Sequence, residues 1–264
     1  MESHSKLRIA AVADLHFTKQ VSATLMPVLE QAMGHADVLL LCGDLTHHGL
    51  AEEAAELAKA VVALRNPILA VLGNHDYHGD QQEEIKRALA DSPITLLDGD
   101  AVEIRGVGFA GTKGFAGGFG RRVLEPWGEA VVRSFVQVGV EEALKLESSL
   151  AKIQSRQRIA LLHYAPIQET VEGEPPEIWP FLGSSRLEEP LDRFQVTAAF
   201  HGHAHHGRME GRTRAGVPVY NVSLPLMLRM AQPDRTPFRL LEVEVPATVE
   251  TAGARDGMRP AGAS

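Results

Sequence analysis

Nine residues that could bind metal ions or transfer protons occur in five short motifs of the sequence. Nearly every motif directly follows a run of apolar residues, as at the end of a buried strand. In chain order the motifs are D-L-H (Asp14, His16), G-D (Asp44), G-N-H-D (Asn74, His75, Asp76), the His of L-L-H-Y (His163) and G-H-A-H (His203, His205). Carboxylates, imidazoles and an amide delivered repeatedly from strand ends are the groups that a site for two metal ions requires.

The first two motifs supply carboxylates together with one imidazole. Asp14 and His16 lie two positions apart after a strand, and alternation at that spacing points both side chains to the same side. A hard oxygen and a borderline nitrogen suit Zn, Mn or Fe better than Ca. Asp44 follows the second apolar run, and a bridging carboxylate there would hold two cations together despite their mutual repulsion. Taken singly, each of these motifs also fits a solvated strand end.

The later motifs add neutral ligands and a possible proton donor. Asn74 offers an amide oxygen, and His75 beside it could face a leaving group instead of a metal. His203 and His205 are again two positions apart after an apolar run, and His163 ends another such run. The histidines that flank the motifs are expected to lie behind the ligands or in solvent: His47, His48, His201 and His206.

The first third of the chain alternates between strands and helices, which positions the first three motifs. Apolar runs predict strands at 7–13, 38–42 and 68–72, and helical periodicity predicts helices at 22–33, 50–64 and 81–90. Asp80 is expected to cap the third helix. This order favours right-handed βαβ units and a parallel sheet.

Antiparallel structure is expected to enter after Asp98-Gly99, which we interpret as a hairpin-like signal. Short strands are predicted on either side of Arg105-Gly106, and the glycine-rich residues 111–120 are predicted to form a loop. The rest of the pattern gives helices at 138–155 and 187–193, strands at 159–162, 196–200, 217–222 and 238–245, and a Pro- and Glu-rich excursion at 166–183. Two sheets with helices outside them, in one domain, fit this order best.

Length and charge narrow the choice of partners. The 264 residues permit one large domain or two, and 44% apolar residues are enough for a sizeable core. A net charge of −8 disfavours binding of a long nucleic-acid duplex by general electrostatics. We therefore expect a small-molecule partner.

The cysteine count and the termini bear on location. The single cysteine, Cys42, excludes a disulfide within the chain, which is compatible with a reducing compartment. No stretch approaches the roughly 18 apolar residues of a membrane span, and the N-terminus lacks the pattern of a signal peptide. We expect a cytoplasmic protein without a membrane segment, with a domain at 1–245 and a disordered tail at 246–264.

Taken together, the order D-x-H, G-D, G-N-H-D, H and G-H-x-H resembles that of the calcineurin-like metallophosphoesterase superfamily. The resemblance extends from about Leu7 to Leu224. The sequence separation between successive motifs is thirty positions, both from Asp14 to Asp44 and from Asp44 to Asn74. Each separation leaves room for one helix and one strand. The resemblance implies an α/β fold, a four-layer α/β/β/α sandwich of two mixed β-sheets flanked by helices, with the site at the strand ends.

The resemblance also implies which residues bind each metal ion and which transfer protons. The first metal would be held by Asp14, His16, Asp44 and His205, and the second by Asp44, Asn74, His163 and His203. His75 would stand off the metals as proton donor or phosphate contact, with Asp76 orienting its ring, and a hydroxide bound to the two metal ions would attack phosphorus. The metals themselves stay open among Mn, Fe, Zn, Ni and Co.

The residues restrict the substrate only in part. Lys113 could contact a substrate phosphate together with Asn74 and His75, and Phe115 could stack on a ring of the substrate. An equally good interpretation is a surface loop without a binding role, anchored by a buried Phe115. The acidic excursion at 172–181 is compatible with a lid or with a dimer contact, and the oligomeric state stays open. We expect hydrolysis of a small-molecule phosphodiester, such as a cyclic nucleotide, or of a phosphomonoester. The alternatives are a nuclease of the same superfamily and a non-enzymatic scaffold.

Overall fold

The apolar runs before the first three motifs form adjacent strands in the computed structural model, which describes residues 4–230 and 236–246. They are β1 (His4–Val12), β2 (Val38–Cys42) and β3 (Ile68–Val71), and they pair in parallel. Every residue of β2 and β3 is buried because helices and a second sheet cover the two faces. The strand β4 (Ile94–Leu96) extends this sheet beyond β3, and β11 (Arg239–Pro246) pairs antiparallel with β1 on the other side.

Three helices connect the strands of this first sheet and cover its outer face, as the βαβ pattern predicts. They are α1 (Ser22–His35), α2 (Ala51–Val61) and α3 (Gln82–Ala90). Their buried side chains, such as Leu29 of α1 and Leu57 of α2, join one hydrophobic cluster with the outward-facing residues of the strands.

The second sheet has six strands in the order β5-β6-β7-β8-β10-β9. Its central strands β6, β7, β8 and β10 run parallel, whereas β5 and β9 are antiparallel at the two edges. The strands are β5 (Asp100–Ile104), β6 (Val107–Gly111), β7 (Gln157–Leu161), β8 (Ala198–His201), β9 (Glu210–Arg212) and β10 (Pro218–Asn221). Both sheets are therefore mixed, as predicted.

Side-chain alternation along the strands builds the layers. In β1, Leu7 and Ile9 pack against residues of the second sheet such as Phe109, whereas Ala10 and Val12 face the helices. The outer face of the second sheet is covered by α4 (Ala130–Lys152) and α6 (Glu188–Arg193). The predicted four-layer α/β/β/α sandwich is confirmed. Two further short helices are α5 (Trp179–Leu182) and α7 (Leu224–Arg229).

Two local predictions are wrong. Asp98-Gly99 is a crossover and not a hairpin, because β4 lies in the first sheet and β5 in the second. The hairpin lies at Arg105-Gly106, where φ values of 50° and 79° suit the turn that joins antiparallel strands. Asp80 does not cap α3: its own φ is 53°, and the capping position is Gln81, which makes no side-chain capping bond.

The remaining differences concern boundaries and short elements. The helix α4 begins at Ala130, before the predicted residue 138. The strand β9 has the sequence E-G-R, without apolar alternation, and was not predicted, nor were β4 and α7. The predicted tail at 246–264 lies outside the described residues, apart from Pro246 at the end of β11. No helix within residues 4–230 and 236–246 is both long and apolar enough to cross a membrane.

Candidate metal centre

The five motifs meet because each follows a parallel strand at its carboxyl end. The first three follow neighbouring strands of the first sheet, and the last two follow β7 and β8, which are neighbours in the second sheet. The sheets are tied together at this end. The backbone N–H of Ala13 donates to the carbonyl of Val222 (2.8 Å), and that of Leu224 donates to the carbonyl of Ala13 (3.0 Å).

The backbone is unusual at four of the predicted ligands. Their φ values lie in the left-handed region, which residues other than glycine rarely adopt. The values are 57° for Asp14, 45° for His16, 49° for Asp44 and 69° for His203. Each such residue costs on the order of 1–3 kcal/mol and persists only where surrounding contacts fix it. Here the N–H of His16 donates to the carbonyl of Asp44 at 3.0 Å, which continues the pairing of β1 and β2 past their ends. Backbone strain of this kind concentrates at functional sites.

The glycines inside two motifs leave room for carboxylates. A Cβ on Gly73 would lie 2.1 Å from Asp44 Oδ1, and a Cβ on Gly202 would lie 2.7 Å from Asp14 Oδ2. Neither distance is compatible with a side chain. The G of G-N-H-D and the G of G-H-A-H are therefore needed for close packing of the motifs against one another.

Two groups of ligand atoms form at this edge. Asp14, His16 and His205 place ligand atoms within 4.8 Å of one another, and His205 Nε2 lies 3.6 Å from Asp14 Oδ1. These three residues belong to the set predicted for the first metal.

The second group contains Asp44, His163 and His203, with ligand atoms again within 4.8 Å of one another. Asn74 completes it, since its Oδ1 lies 2.8 Å from His163 Nε2. The predicted ligands of the second metal therefore also lie together.

Asp44 lies between the two groups and presents one oxygen to each. Its Oδ2 lies 3.9 Å from His16 Nε2, and its Oδ1 lies 3.3 Å from His163 Nε2. This is the arrangement that a bridging carboxylate requires.

Backbone groups orient the ligands from behind. His163 Nδ1 lies 3.1 Å from the carbonyl of Cys42, and His203 Nε2 lies 3.2 Å from the carbonyl of Phe181. In metal sites one imidazole nitrogen commonly donates to such a carbonyl while the other binds the ion. The carboxylates are held too: the N–H of His203 donates to Asp14 (3.0 Å), and the N–H of His75 donates to Asp44 (2.8 Å).

The electrostatics of the centre favour a bound cation. Burial lowers the pKa of His16 to about 4 and also lowers the pKa of His163, so both rings are neutral and able to bind metal at pH 7. Burial together with the charges of Asp14 and Asp76 raises the pKa of Asp44 well above its ordinary value. Buried carboxylates crowded in this way, beside neutral imidazoles and an amide oxygen, fit a pair of divalent ions.

The predicted contact between Asp76 and His75 is wrong. The Asp76 carboxylate is fully buried and accepts hydrogen bonds from Gly73, Leu45 and Thr46 at 2.6–3.2 Å. It therefore ties the third motif to the second. Burial raises the pKa of Asp76, and these donors offset that effect only in part. The His75 ring is oriented instead by the carbonyl of His47, 2.7 Å from Nδ1, while its Nε2 lies 4.0 Å from Asp44 Oδ2.

The flanking histidines take different positions. His201 is fully buried behind the ligands, with Nε2 2.8 Å from Thr170 Oγ1, whereas His47 and His48 are exposed at the rim. His47 also belongs to a third group of possible ligand atoms, with His16 and His75. Nothing in the sequence distinguishes the His47 carbonyl, because its role depends on the backbone that follows Asp44.

Lys113 follows β6, the neighbour of β7, and so enters the same edge. Its ammonium lies 4.7–5.3 Å from the ring centroids of Phe115, Tyr164 and Tyr77. Burial lowers the pKa of this lysine, and among the described residues no carboxylate lies within ion-pair distance of it. Phe115 packs in this cage rather than standing free to stack on a ligand.

Glu142 of α4 is a functional candidate that the sequence did not reveal. It is buried, and its Oε2 accepts from Thr112 Oγ1 (2.5 Å) and from the N–H of Gly114 (2.9 Å). These bonds fix both neighbours of Lys113. A single glutamate inside a long helix gives no signal of such a contact.

Comparison with known proteins agrees with this geometry. The model of the calcineurin-like phosphoesterase family matches residues 7–207. A protein named probable cyclic nucleotide phosphodiesterase, from Vesicomyosocius okutanii subsp. Calyptogena okutanii (strain HA), is 26% identical over 178 residues. The match covers 64% of this chain and 62% of that relative, so the chain spans less than two thirds of the relative's length.

Solved structures share the fold at low identity. The phosphopantetheinyl hydrolase PptH from Mycobacterium tuberculosis superposes with a TM-score of 0.63 at 14% identity, covering 88% of this chain and 95% of that one. GAP50, the anchor in the inner membrane complex of Plasmodium, superposes with a TM-score of 0.53 at 13% identity, covering 83% and 72%. At these identities the likeness concerns the fold alone.

Proposed function

We propose that this chain, which belongs to the calcineurin-like phosphoesterase family, hydrolyses a small-molecule phosphate ester at a centre of two metal ions. The family supports a hydrolase acting on phosphoric ester bonds. The finer proposal is a phosphodiesterase, and its support is the similarity to the probable cyclic nucleotide phosphodiesterase.

The observation that carries the two-metal proposal is the position of Asp44. One of its oxygens faces the group of Asp14, His16 and His205, and the other faces His163 and Asn74. A single-ion site would not need a buried carboxylate between two separate sets of donors. When bound, two such cations neutralise charge on the phosphoryl oxygens and lower the pKa of water between them.

His75 is the proposed proton donor to the leaving oxygen. The carbonyl of His47 holds its Nδ1, so the Nδ1–H tautomer is favoured and Nε2 is directed toward the centre. A protonated Nε2 can donate to a departing alkoxide. General acid catalysis of this kind contributes on the order of 10²–10⁴-fold.

Lys113 and Asn74 are the proposed phosphate contacts. The Lys113 ammonium donates to the carbonyl of Gly114 (3.0 Å), but it lacks a carboxylate partner among the described residues and can therefore pair with an anion. The Glu142 bonds to Thr112 and Gly114 hold it in place, which reduces the entropy lost on binding.

The test uses two chromogenic esters, one variant in the centre and one control variant. Hydrolysis of bis-p-nitrophenyl phosphate and p-nitrophenyl phosphate is measured with added Mn²⁺, and metal content is measured by elemental analysis. We expect the wild type to bind two ions per chain and to prefer the diester, and Asp44→Ala to bind at most one ion and to lose activity. Asp98→Asn, a carboxylate exchange outside the centre, is the matched control and should keep both ions. No hydrolysis of either ester by the metal-loaded protein would contradict the enzymatic proposal.

A nuclease and a scaffold are the two alternatives. The net charge of −8 argues against a nucleic-acid groove and so against the nuclease. Hydrolysis of a single-stranded or duplex oligonucleotide at a rate above that of the small esters would favour the nuclease. Metal binding without hydrolysis of any ester would favour the scaffold.

A further inference from the structure

A cavity of about 600 Å³ opens directly beside the first group of ligands. Asp14 and His16 form part of its wall, so the metal centre and the cavity share a boundary. The rest of the wall comes from α1 and the segment before it, from the rim histidines and from α7. This volume falls in the range of pockets that hold small organic ligands.

The wall of this cavity is mainly apolar. Six apolar residues line it: Leu15, Val21, Leu25, Leu224, Pro225 and Leu228. Two of them are strongly exposed for their type, Leu228 at 53% and Val21 at 37%. Exposed apolar side chains gathered around one concave site are typical of ligand recognition and not of an ordinary surface.

Apart from the carboxylate of Asp14, the polar members of the wall carry hydroxyl, amide or imidazole groups. They are Thr18, Gln20, Thr24 and the imidazoles of His16, His47 and His48. Within the described residues the lining contains no lysine, arginine or glutamate. A second phosphate or another anionic group would therefore be desolvated there without a lysine or arginine to pair with, at a cost that an apolar group avoids.

We propose that this cavity, the α1–α7 cleft, binds the organic group of the substrate and selects for an uncharged, largely apolar group. The inference rests on the proposed function, because the phosphoryl group must occupy the adjoining metal centre for the organic group to enter the cleft. It goes beyond that function by naming the chemistry of the rest of the substrate. A nucleotide carrying further phosphates would be a poor fit.

Non-hydrolysable phosphonates with one organic group test the cleft by binding alone. Dissociation constants of methyl-, butyl- and hexylphosphonate are measured by calorimetry with the Mn²⁺-loaded protein. We expect affinity to rise about two- to fourfold for each added methylene group, as burial of apolar surface predicts. 5-Carboxypentylphosphonate, which has a similar length and a terminal charge, should lose this gain. Equal affinity for methyl- and hexylphosphonate would overturn the inference.

Leu228→Glu and Leu144→Glu form a matched pair of variants. Both leucines lie on helices and are similarly exposed, at 53% and 57%, but Leu144 lies on α4 and does not line the cleft. We expect Leu228→Glu to weaken hexylphosphonate binding at least tenfold and to reduce the ratio of hexyl to methyl affinity. Leu144→Glu should leave both constants unchanged. An equal loss in the two variants would count against the cleft.

Hydrolysis of bis-p-nitrophenyl phosphate, measured in parallel, separates this inference from the proposed function. If the ester is hydrolysed and chain length has no effect on phosphonate affinity, the cleft inference fails alone. If affinity rises with chain length and no ester is hydrolysed in any metal, the hydrolytic function fails while apolar recognition beside the centre stands.

Discussion

At the scale of single residues, we propose that metal binding and proton transfer belong to different side chains of the centre. Asp44 has its two oxygens directed at different groups of donors, so we assign it to metal binding. His75 is next to a ligand in sequence, but its ring is held by a carbonyl of the rim and approaches Asp44 only to 4.0 Å. The two residues should therefore respond differently to substitution.

We expect His75→Ala to keep both metal ions and to lower kcat by about 10²–10⁴-fold, since general acid catalysis is lost while the ligands remain. Elemental analysis and steady-state kinetics on a phenyl ester check this. His78→Ala, the exchange of a neighbouring histidine outside the groups of ligand atoms, is the control and should retain activity. Because His16, His47 and His75 also form a group of possible ligand atoms, loss of an ion from His75→Ala would show that His75 is a ligand.

Lys113→Met should lower kcat/KM by roughly 10–100-fold and leave the metal content unchanged. A hydrogen bond to a charged group contributes about 1.5–3 kcal/mol, and Met keeps the apolar stem that packs against the aromatic rings. Arg121→Met removes an exposed cation from the same connection and is the control. An equal loss of kcat/KM in both variants would indicate that Lys113 acts only through the net charge of the protein and not through a contact with the phosphate.

At the scale of elements, the strand ends make the centre. The parallel strands β1, β2 and β3, and likewise β6, β7 and β8, bring their carboxyl ends to one edge, which is why short motifs far apart in sequence meet. Mostly apolar runs of four or more residues predicted these strands because full burial leaves a local trace in composition. The motifs at the ends of these strands supplied the candidate ligands, and the resemblance to the calcineurin-like superfamily implied their division between two metals.

Features that depend on contacts between distant elements left no such trace. The strand β9, with the sequence E-G-R, is defined only by its pairing with β10. The contact of His75 with the His47 carbonyl, and that of Glu142 with Thr112, join segments about thirty positions apart. The sequence Asp98-Gly99 resembled a hairpin turn because glycine suits both a hairpin and a crossover between sheets. Only the order of strands in the two sheets distinguishes the two kinds of connection.

One chain of contacts connects the crossover between the sheets to the Lys113 loop. Lys145 of α4 donates to Asp98 (2.9 Å) and to Glu142 (2.9 Å), and Lys86 of α3 also donates to Asp98 (3.2 Å). Burial raises the pKa of Asp98, but the two lysines outweigh it and lower the pKa below its ordinary value of 3.8. The ionised form of Asp98 therefore stabilises the fold.

We expect Asp98→Asn to reduce the free energy of unfolding by about 1 kcal/mol at pH 7, the usual size for a partly exposed ion pair. A carboxylate with a lowered folded-state pKa contributes fully above its unfolded-state pKa, and the contribution is lost as pH falls through the folded-state value. The difference between variant and wild type should hence be constant from pH 7 down to about pH 5 and shrink below pH 4. Urea unfolding at several pH values measures it. A difference that grows on acidification would contradict the assigned ion pair.

The whole molecule carries a net charge of −8 and gathers three buried carboxylates, Asp14, Asp44 and Asp76, at one edge. In the metal-free chain their mutual repulsion opposes folding, since Asp14 and Asp76 both raise the pKa of Asp44 beyond the effect of its burial. Cations that bind the folded state and not the unfolded chain relieve this repulsion. Bound metal ions should therefore raise the free energy of unfolding in two ways. They form bonds to the ligands, and they also remove the repulsion between the buried carboxylates.

We expect Mn²⁺ at a hundred times its dissociation constant to raise the free energy of unfolding by about 2.7 kcal/mol for one site, which corresponds to roughly 5–10 °C in Tm for a chain of this size. Calorimetric scans with Mn²⁺ and with a chelator measure the shift. Asp44→Ala should lose most of it because the carboxylate between the two groups of donors is gone, whereas Asp98→Asn, destabilised for an unrelated reason, should keep the full shift. If Asp44→Ala shifted as much as the wild type, the ions would bind elsewhere on the acidic surface, and the two-metal centre would be the wrong explanation for the buried carboxylates.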